Sequence, residues 1–241
     1  MSSCFFSKVR KKPDICEMES ETTIEKVRER VFAVVIPDDY RRCMTFLRAQ
    51  EHYESPSPEF RGKDFDIWRY IEWYSRDRDG SFTYASDWGG FNIPLQSALD
   101  CYRGVDAMPG EWTSRWDREM RSILDRVAQM VPEAERALPA YIIGAADTSG
   151  PTFRHEVAHG LYHTNQAYRA AADGVTSAID PAHMESFRSN LLAMGYTDGV
   201  VWDEVQAYLT AGWRLGGFSR GVPDQVCESL SSEYGRALGV F

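Results

Sequence analysis

A short apolar stretch, followed by a turn-forming segment and a long helical pattern, constrains the fold of this chain more than any other feature. Residues 140–146 are apolar, aromatic or small throughout, which is typical of a buried strand. Residues 147–151 contain Asp, Ser, Gly and Pro, which favour turns, and a helical pattern then covers residues 152–172. The sequence therefore predicts a strand, a loop and a helix in direct succession.

Helical patterns outnumber strand patterns in the rest of the chain. Two further strands are predicted, one at residues 31–36, where a β-branched run ends at Pro37, and one at residues 81–85, where side chains alternate. Apolar periodicity and turn residues predict helices at residues 24–30, 39–53, 65–74, 112–130, 183–193 and 201–213. We therefore expect an α+β fold that is mostly helical with a small sheet.

The length and composition suit one compact domain. The chain has 241 residues, of which 43% are hydrophobic, and this is enough apolar material for a sizeable core. The first dozen residues contain four cations and no acid, and we predict a disordered tail over residues 1–22. One globular domain is expected over residues 23–241, and a subdivision near residues 131–140 stays open.

Charge and cysteine content exclude several classes of protein. The 36 Asp and Glu residues outnumber the 27 Lys and Arg residues, for a net charge of −9, so we expect no binding to nucleic acid. Five cysteines without a Cys-x-x-Cys pair do not suggest a disulfide framework, which favours reduced thiols in the cytoplasm. No window approaches 18 consecutive apolar residues, so we expect no membrane span. The oligomeric state stays open.

Histidines are concentrated in one segment of the helix predicted at residues 152–172. Three of the five histidines, His155, His159 and His163, fall within nine residues. The first two frame the motif His-Glu-x-x-His, and the composition predicts only about 0.015 chance matches to His-acid-x-x-His in a chain of this length. We infer that this motif carries the chemistry of the protein.

The spacing of His155 and His159 suits a metal ion. On an α-helix, residues four apart lie about 40° apart around the axis and about 6 Å along it, so two imidazoles can converge on one ion. Glu156 lies about 100° from His155 and can stay beside the ion, where it would accept a proton from metal-bound water. The motif thus predicts two metal ligands and one general base.

His163 admits three interpretations. It lies about 12 Å along the helix axis from His155, which is too far for all three histidines to share one ion on a straight helix. It can replace His155 in a pair with His159, bind substrate at the rim of the site, or lie in solvent at the helix end.

The strand, the loop and the His-Glu-x-x-His helix resemble the active site of the zincin metallopeptidases, over about residues 140–213. In the gluzincin branch the third ligand is a Glu on a later helix, often in a Glu-x-x-Ala pattern, which Glu204 and Ala207 match. The resemblance therefore implies that Glu204 is the third ligand. The alternative ligands are Asp203, His163 and Asp180.

The chain also departs from patterns found in other zincins. The extended metzincin motif is absent, since Tyr162 and Asn165 occupy its glycine and histidine positions. Some gluzincins have an Asp four residues after the ligand Glu, where it orients a metal-bound His. Tyr208 occupies that position here, so the sequence identifies no partner for such a His.

These residues predict a zinc-dependent hydrolase that acts on a peptide or amide bond. His155, His159 and Glu204 would hold Zn²⁺, and Glu156 would be the general base. The candidates for stabilising the oxyanion are Tyr162, Tyr208 and His163. Two alternatives stay open, namely an Fe²⁺-dependent oxidoreductase that uses the same ligands on a small molecule, and a metal-binding interaction module without turnover.

Aromatic residues are dense in one part of the chain, with nine in the 27 positions from Phe65 to Phe91. Core packing is the favoured interpretation for most of these rings, and a wall of the substrate pocket is the alternative. The loop at residues 87–92 places Gly89 and Gly90 beside aromatic residues, a combination that often marks a binding loop. We therefore expect this loop to be the part of the segment that contacts a ligand.

Overall fold

The computed structural model describes residues 22–212 and 222–240 of the chain. Its helices and small mixed sheet confirm the expected α+β class and the mostly helical content. The strands are β1 (Thr23–Arg28), β2 (Val31–Val35), β3 (Phe91–Pro94) and β4 (Tyr141–Ala145). The helices are α1 (Asp39–Glu54), α2 (Ile67–Arg76), α3 (Tyr84–Asp87), α4 (Leu95–Val105), α5 (Arg115–Met130), α6 (Gly150–Thr164), α7 (Gln166–Thr176), α8 (Pro181–Ala193), α9 (Val201–Thr210) and α10 (Asp224–Leu238).

The four strands form one sheet in the order β1-β2-β4-β3. Strands β2 and β4 run parallel, with Ala33 opposite Ile143, whereas β1 pairs antiparallel with β2 and β3 pairs antiparallel with β4. The two central strands are almost wholly buried, which explains why their sequences are continuous apolar runs. The strands predicted at residues 31–36 and 140–146 are confirmed.

Two apolar cores lie on opposite faces of the sheet, because successive side chains of a strand point to opposite faces. Phe32 and Ile142 belong to the core that includes residues of α1 to α5, which we call the N-terminal layer. Ala33 and Ile143 belong to the core that includes residues of α6 to α10, which we call the C-terminal layer. The sheet therefore separates two helical layers.

The prediction of a helix at residues 24–30 is wrong, since most of this segment forms strand β1. Glu25 and Lys26 favour helix when taken alone, but β1 pairs with β2 and its backbone groups are satisfied by that pairing. Arg30, at a φ of 64°, lies in the turn between the two strands. Pairing with a neighbouring strand thus overrides the local helix preference.

The prediction of a strand at residues 81–85 is also wrong, because Tyr84 begins the short helix α3. The ring of Tyr84 is buried and stacks on Phe82, with centroids 5.8 Å apart and an interplanar angle of 4°. The alternation of aromatic and polar residues in this segment therefore reflects packing into the N-terminal layer.

The helix predicted at residues 152–172 is divided into α6 and α7. Asn165 ends α6 and caps α7, since its side chain accepts a hydrogen bond from the backbone nitrogen of Tyr168 at 3.0 Å. The other predicted helices correspond to α1, α2, α5, α8 and α9, while β3, α4 and α10 were not predicted. Helix α9 ends at Thr210, and Trp213 lies outside the described residues.

Some predictions concern residues that the structure does not describe. Apart from Thr22, the tail predicted at residues 1–22 lies outside the described residues, as do Cys4 and Cys16. Cys43 and Cys101 are buried as thiols. Within the described ranges, no helix combines the length and the apolar character needed to cross a bilayer. The single domain over residues 23–241 stays a prediction.

Candidate metal centre

Helix α6 holds the His-Glu-x-x-His motif closely against the sheet. It follows β4 after a short loop, and Gly150 begins it at a φ of 79°, a conformation that suits glycine. Gly160 lies against the sheet, where an added Cβ would come within 2.8 Å of Val31 Cγ1. The absence of a side chain at Gly160 therefore lets the motif helix pack directly against β2.

The two motif histidines converge as their spacing predicts. The Nε2 atoms of His155 and His159 lie 3.1 Å apart, and the ring centroids lie 4.7 Å apart at an angle of 84°. Both side chains are buried, with relative exposures of 4% and 1%. One ligand atom from each of His155, Glu156 and His159 lies within 4.8 Å of the others, so this buried group could hold a metal ion.

Glu204 on α9 approaches both histidines from the opposite side. Its Oε2 lies 3.6 Å from Nε2 of His155, and its Oε1 lies 3.6 Å from Nε2 of His159. Ala207, one turn further along α9, is fully buried, and its backbone lies beside His155. The structure therefore places Glu204 next to the predicted histidine pair and Ala207 where α6 and α9 pack together.

Asp203 contacts the far side of the His159 ring, with Oδ1 at 2.9 Å from Nδ1. The other ring nitrogen, Nε2, points to the centre of the cluster. From the sequence, Asp203 was predicted only as an alternative ligand, and no residue was identified that would orient a metal-bound His. Asp203 lies where it could orient such a ring, directly before Glu204 in the chain, so the adjacent acids on α9 were the available signal.

Glu156 is held by a chain of hydrogen bonds that crosses to the sheet. Asn92 on β3 donates from Nδ2 to Oε2 of Glu156 at 2.9 Å, and Tyr141 on β4 donates to Oδ1 of Asn92 at 2.6 Å. A Cβ on Gly90 would lie only 2.4 Å from Oε1 of Glu156. Asn92 was missed in the sequence analysis, although it lies in the glycine-containing loop that was singled out.

The charges in this cluster are strongly coupled. Burial lowers the pKa of His155 well below its usual value. Burial opposes protonation of His159 as well, but Asp203 and Glu204 raise its pKa to about 10. Burial raises the pKa of Glu204 well above its usual range and that of Glu156 to about 7. Each carboxyl group lacks enough positive charge nearby, and a bound cation would supply it.

Burial also affects a third glutamate near the cluster. It raises the pKa of Glu54 on α1 to about 7, with charges on Glu156 and Asp203 adding to the effect and His159 opposing it. Glu54 and Glu51, which lies one turn earlier on α1, were not predicted from the sequence. Their signal was their place on the helical face of α1 that also carries the buried Leu47.

The tyrosines proposed for oxyanion binding lie in different surroundings. The ring of Tyr208 lies 4.5 Å from the ring of His155, and its hydroxyl lies 3.2 Å from the hydroxyl of Tyr196. The hydroxyl of Tyr162 donates to Oδ1 of Asp173 at 2.6 Å. Tyr208 is therefore beside the histidine pair, while the hydroxyl of Tyr162 is engaged elsewhere.

His163 and Asp180 lie away from the His155, Glu156 and Glu204 side chains. The ring of His163 packs on Tyr141 at 4.9 Å and borders cavities that none of those three side chains line. Asp180 caps α8 by accepting a hydrogen bond from the backbone nitrogen of Ala182 at 2.8 Å. The positions of His163 and Asp180 therefore give no support to their predicted roles as ligands, which stay predictions.

A cavity of about 330 Å³ opens on the cluster and is lined by His155, Glu156, Glu204 and Tyr208. Residues 87–90 form another part of its wall, so the loop singled out in the sequence borders the candidate site. Most aromatic rings of the dense segment instead pack in the N-terminal core, as the favoured interpretation predicts.

Comparison of this chain with family models, with curated proteins and with solved structures finds no match.

Proposed function

We propose that the protein is a zinc-dependent hydrolase of peptide or amide bonds, with His155, His159 and Glu204 as metal ligands and Glu156 as the general base. The observation that carries the proposal is the convergence of Glu204 on the two Nε2 atoms, at 3.6 Å from each. Helices α6 and α9 bring these side chains together from residues about fifty positions apart in the chain.

The distances between these atoms fit a tetrahedral zinc site. Zinc binds His nitrogen and carboxylate oxygen at about 2.0–2.2 Å, so two ligands of one tetrahedron lie about 3.3 Å apart. The corresponding distances are 3.1 Å between the two Nε2 atoms, 3.6 Å from Nε2 of His155 to Oε2 of Glu204, and 3.6 Å from Nε2 of His159 to Oε1 of Glu204. When bound, zinc would acidify a water molecule and polarise the carbonyl group of the substrate.

The contacts behind the ligands support the same arrangement. Asp203 contacts Nδ1 of His159, so the Nε2 atom of that ring is directed to Glu204, and the backbone of Ala207 lies beside the His155 ring. Metal-binding histidines usually have such a partner on the second ring nitrogen, which sets the tautomer and the ring orientation.

Glu156 suits the role of general base. Asn92 holds its Oε2, and burial raises its pKa to about 7, which is close to the value that serves proton transfer at neutral pH. Glu156 would accept a proton from the attacking water and pass it to the leaving amine. This role distinguishes a hydrolase from an Fe²⁺ oxidoreductase on the same ligands, in which no step requires a base at this position.

Tyr208 suits the role of oxyanion donor. It lines the same cavity as Glu156, and its ring packs beside His155. Burial raises the pKa of Tyr208 to about 12, so its hydroxyl stays protonated at neutral pH and can donate a hydrogen bond to developing negative charge.

The test of the proposed function is the variant Glu156→Gln, compared with the unmodified chain and with Glu72→Gln, which removes an exposed carboxylate from α2. Zinc content is measured by elemental analysis, and hydrolysis is measured on fluorescent casein and on a quenched peptide library. We expect Glu156→Gln to keep its zinc and its fold but to lose turnover by about a hundredfold or more.

Two results would contradict this function. If Glu156→Gln retained hydrolysis, Glu156 would not be the base. If it retained activity that consumed oxygen and depended on iron, the oxidoreductase alternative would replace the hydrolase.

A further inference from the structure

A second, smaller cavity of about 190 Å³ adjoins the cavity at the metal cluster. The two cavities share wall residues, among them Gln50, Glu54, Tyr74 and Trp88. A group bound in the smaller cavity would therefore lie next to the substrate position at Glu156. We call the smaller cavity the side pocket.

Aromatic rings form much of the wall of the side pocket. Tyr70, Trp73, Tyr74 and Trp88 all line it, and the ring centroid of Tyr70 lies 5.5 Å from that of Trp73 and 5.9 Å from that of Tyr74. The faces of such rings attract cations, because the ring quadrupole is negative above and below its plane.

The side pocket is also lined by Gln50 and Glu51 of α1, each of which carries a buried acceptor oxygen. Tyr84 donates a hydrogen bond to Oε1 of Glu51 at 2.7 Å, and Ser55 and Tyr70 also lie beside this carboxyl group. Its Oε2 has no well-formed hydrogen-bond partner among the described residues. Oε1 of Gln50 likewise has no such partner among them, while its amide nitrogen donates to Glu54. Gln50 and Glu51 are 8% and 4% exposed, and unsatisfied buried acceptors of this kind are costly.

The charges around the side pocket favour a positive ligand. Glu51 and Glu54 line it, and burial raises the pKa of both carboxyl groups, since neither has sufficient positive charge beside it. Arg78 is the one cationic side chain among its described lining residues. The Arg78 guanidinium lies over the Tyr74 ring at 3.8 Å from the centroid and pairs with Oδ2 of Asp87 at 3.3 Å, so its charge is already matched.

We propose that the side pocket binds a positively charged group of the substrate, an ammonium or a guanidinium, between the aromatic rings and the Gln50, Glu51 and Glu54 side chains. This proposal rests on the proposed function, since it names the class of substrate on which the metal centre would act. A cation there satisfies both acceptors and neutralises the buried acid. The bond that is hydrolysed would therefore lie near a basic group of the substrate.

The test measures binding rather than turnover. Isothermal titration of the full-length, zinc-loaded chain compares benzamidine, an amidinium cation, with benzamide, its neutral counterpart of nearly the same shape. We expect benzamidine to bind at least about tenfold more tightly than benzamide, because a charged donor gains more from buried acceptors. Equal affinities would overturn the proposal, and this comparison does not depend on the folding of any variant.

Variants of the chain show whether benzamidine binds in the side pocket. Glu51→Gln, which keeps the shape of the side chain, should weaken benzamidine binding about tenfold and leave benzamide binding unchanged. The matched control Glu72→Gln removes an exposed carboxylate that does not line the side pocket and should leave both unchanged. Thermal unfolding and zinc content show that each variant is folded. Undiminished benzamidine binding by folded Glu51→Gln would overturn the proposal.

Two further ligands identify the source of the positive charge. Nα-acetyl-lysine amide carries the charge on its side chain, whereas Nε-acetyl-lysine amide carries it on the α-amine. Tighter binding of the first indicates a basic side chain as the recognised group, and tighter binding of the second indicates a chain terminus. Because no hydrolysis is measured, failure of the hydrolase proposal leaves these results in place, and failure of cation binding leaves the hydrolase proposal in place.

Discussion

The two helical layers each bury a group of charged side chains, but they satisfy these charges in different ways. In the N-terminal layer, Nε of Arg48 lies 2.6 Å from Oδ1 of Asp117, and both side chains are almost fully buried. In the C-terminal layer, His155, His159 and Glu204 meet at similar depth. The comparison separates buried charges that are matched within the chain from buried charges that the chain leaves in excess.

The Arg48 and Asp117 pair has partners for its charges within the chain. Arg48 also donates to the backbone oxygens of Phe65 and Trp112, and Asp117 also accepts from Tyr102 and Ser114. A buried ion pair is stable only when hydrogen bonds of this kind satisfy the remaining donors and acceptors. We therefore assign this group a structural role.

The cluster around His155 has the opposite balance. Glu156 and Glu204 contribute acceptors to the same small volume, and burial raises the pKa of both carboxyl groups. His159 offers partial compensation, with its pKa raised to about 10 by Asp203 and Glu204 against the effect of burial. Excess acceptors that point to one centre are what a metal ion requires.

The largest effect is expected from a variant that breaks the structural pair of Arg48 and Asp117. Arg48→Met leaves Asp117 buried without its partner, and we expect the free energy of unfolding to fall by about 3–5 kcal/mol. Chemical denaturation measures the change. The control Arg69→Met breaks an exposed pair with Glu59, for which we expect about 0–1 kcal/mol. Equal effects of the two variants would mean that the buried network contributes no more than a surface pair.

The next effect concerns the third ligand. Glu204→Gln removes one anionic oxygen from a three-ligand set, and we expect zinc affinity to fall by about a hundredfold or more. Competition with a zinc-binding dye measures the affinity, and Glu228→Gln, an exposed change on α10, is the control.

The same variant should not destabilise the metal-free chain. Burial raises the pKa of the Glu204 carboxyl group, so ionising it in the folded state costs free energy that Gln avoids. An unchanged zinc affinity, or a metal-free chain as strongly destabilised as Arg48→Met, would place Glu204 with the structural charges instead.

A smaller effect is expected from Asp203→Asn. Loss of the carboxylate beside Nδ1 of His159 weakens the orientation of the ring, and we expect zinc affinity to fall about tenfold. The same dye competition measures this change, with Asp198→Asn, at an exposed acid that pairs with Arg188, as the control. A loss as large as that of Glu204→Gln would instead identify Asp203 as a direct ligand.

The sequence predicted the parts of the site that depend on local spacing. His155 and His159 converge because both lie on one helix, and helical geometry is the same in any protein. The strand at 140–146 was predictable because a parallel central strand must be apolar on both faces. Glu204 followed from the resemblance to the gluzincins, and the structure places it beside the histidines.

Other parts depended on contacts that no local pattern encodes. Asn92 reaches Glu156 because β3 pairs with β4, and β3 itself was not predicted. Strand β1 carries residues that favour a helix and becomes a strand through pairing with β2. Glu51 sits on a buried helical face, where an acid is unexpected unless a ligand or a hydrogen bond compensates it.

The most direct test of the central claim is a crystal structure of the zinc-loaded chain with anomalous data at the zinc edge. We expect one anomalous peak at about 2.0–2.2 Å from Nε2 of His155, Nε2 of His159 and a carboxylate oxygen of Glu204, with Glu156 beside the ion but outside ligand distance. A peak coordinated by Glu156 in place of Glu204, or no zinc at the two histidines, would contradict the account.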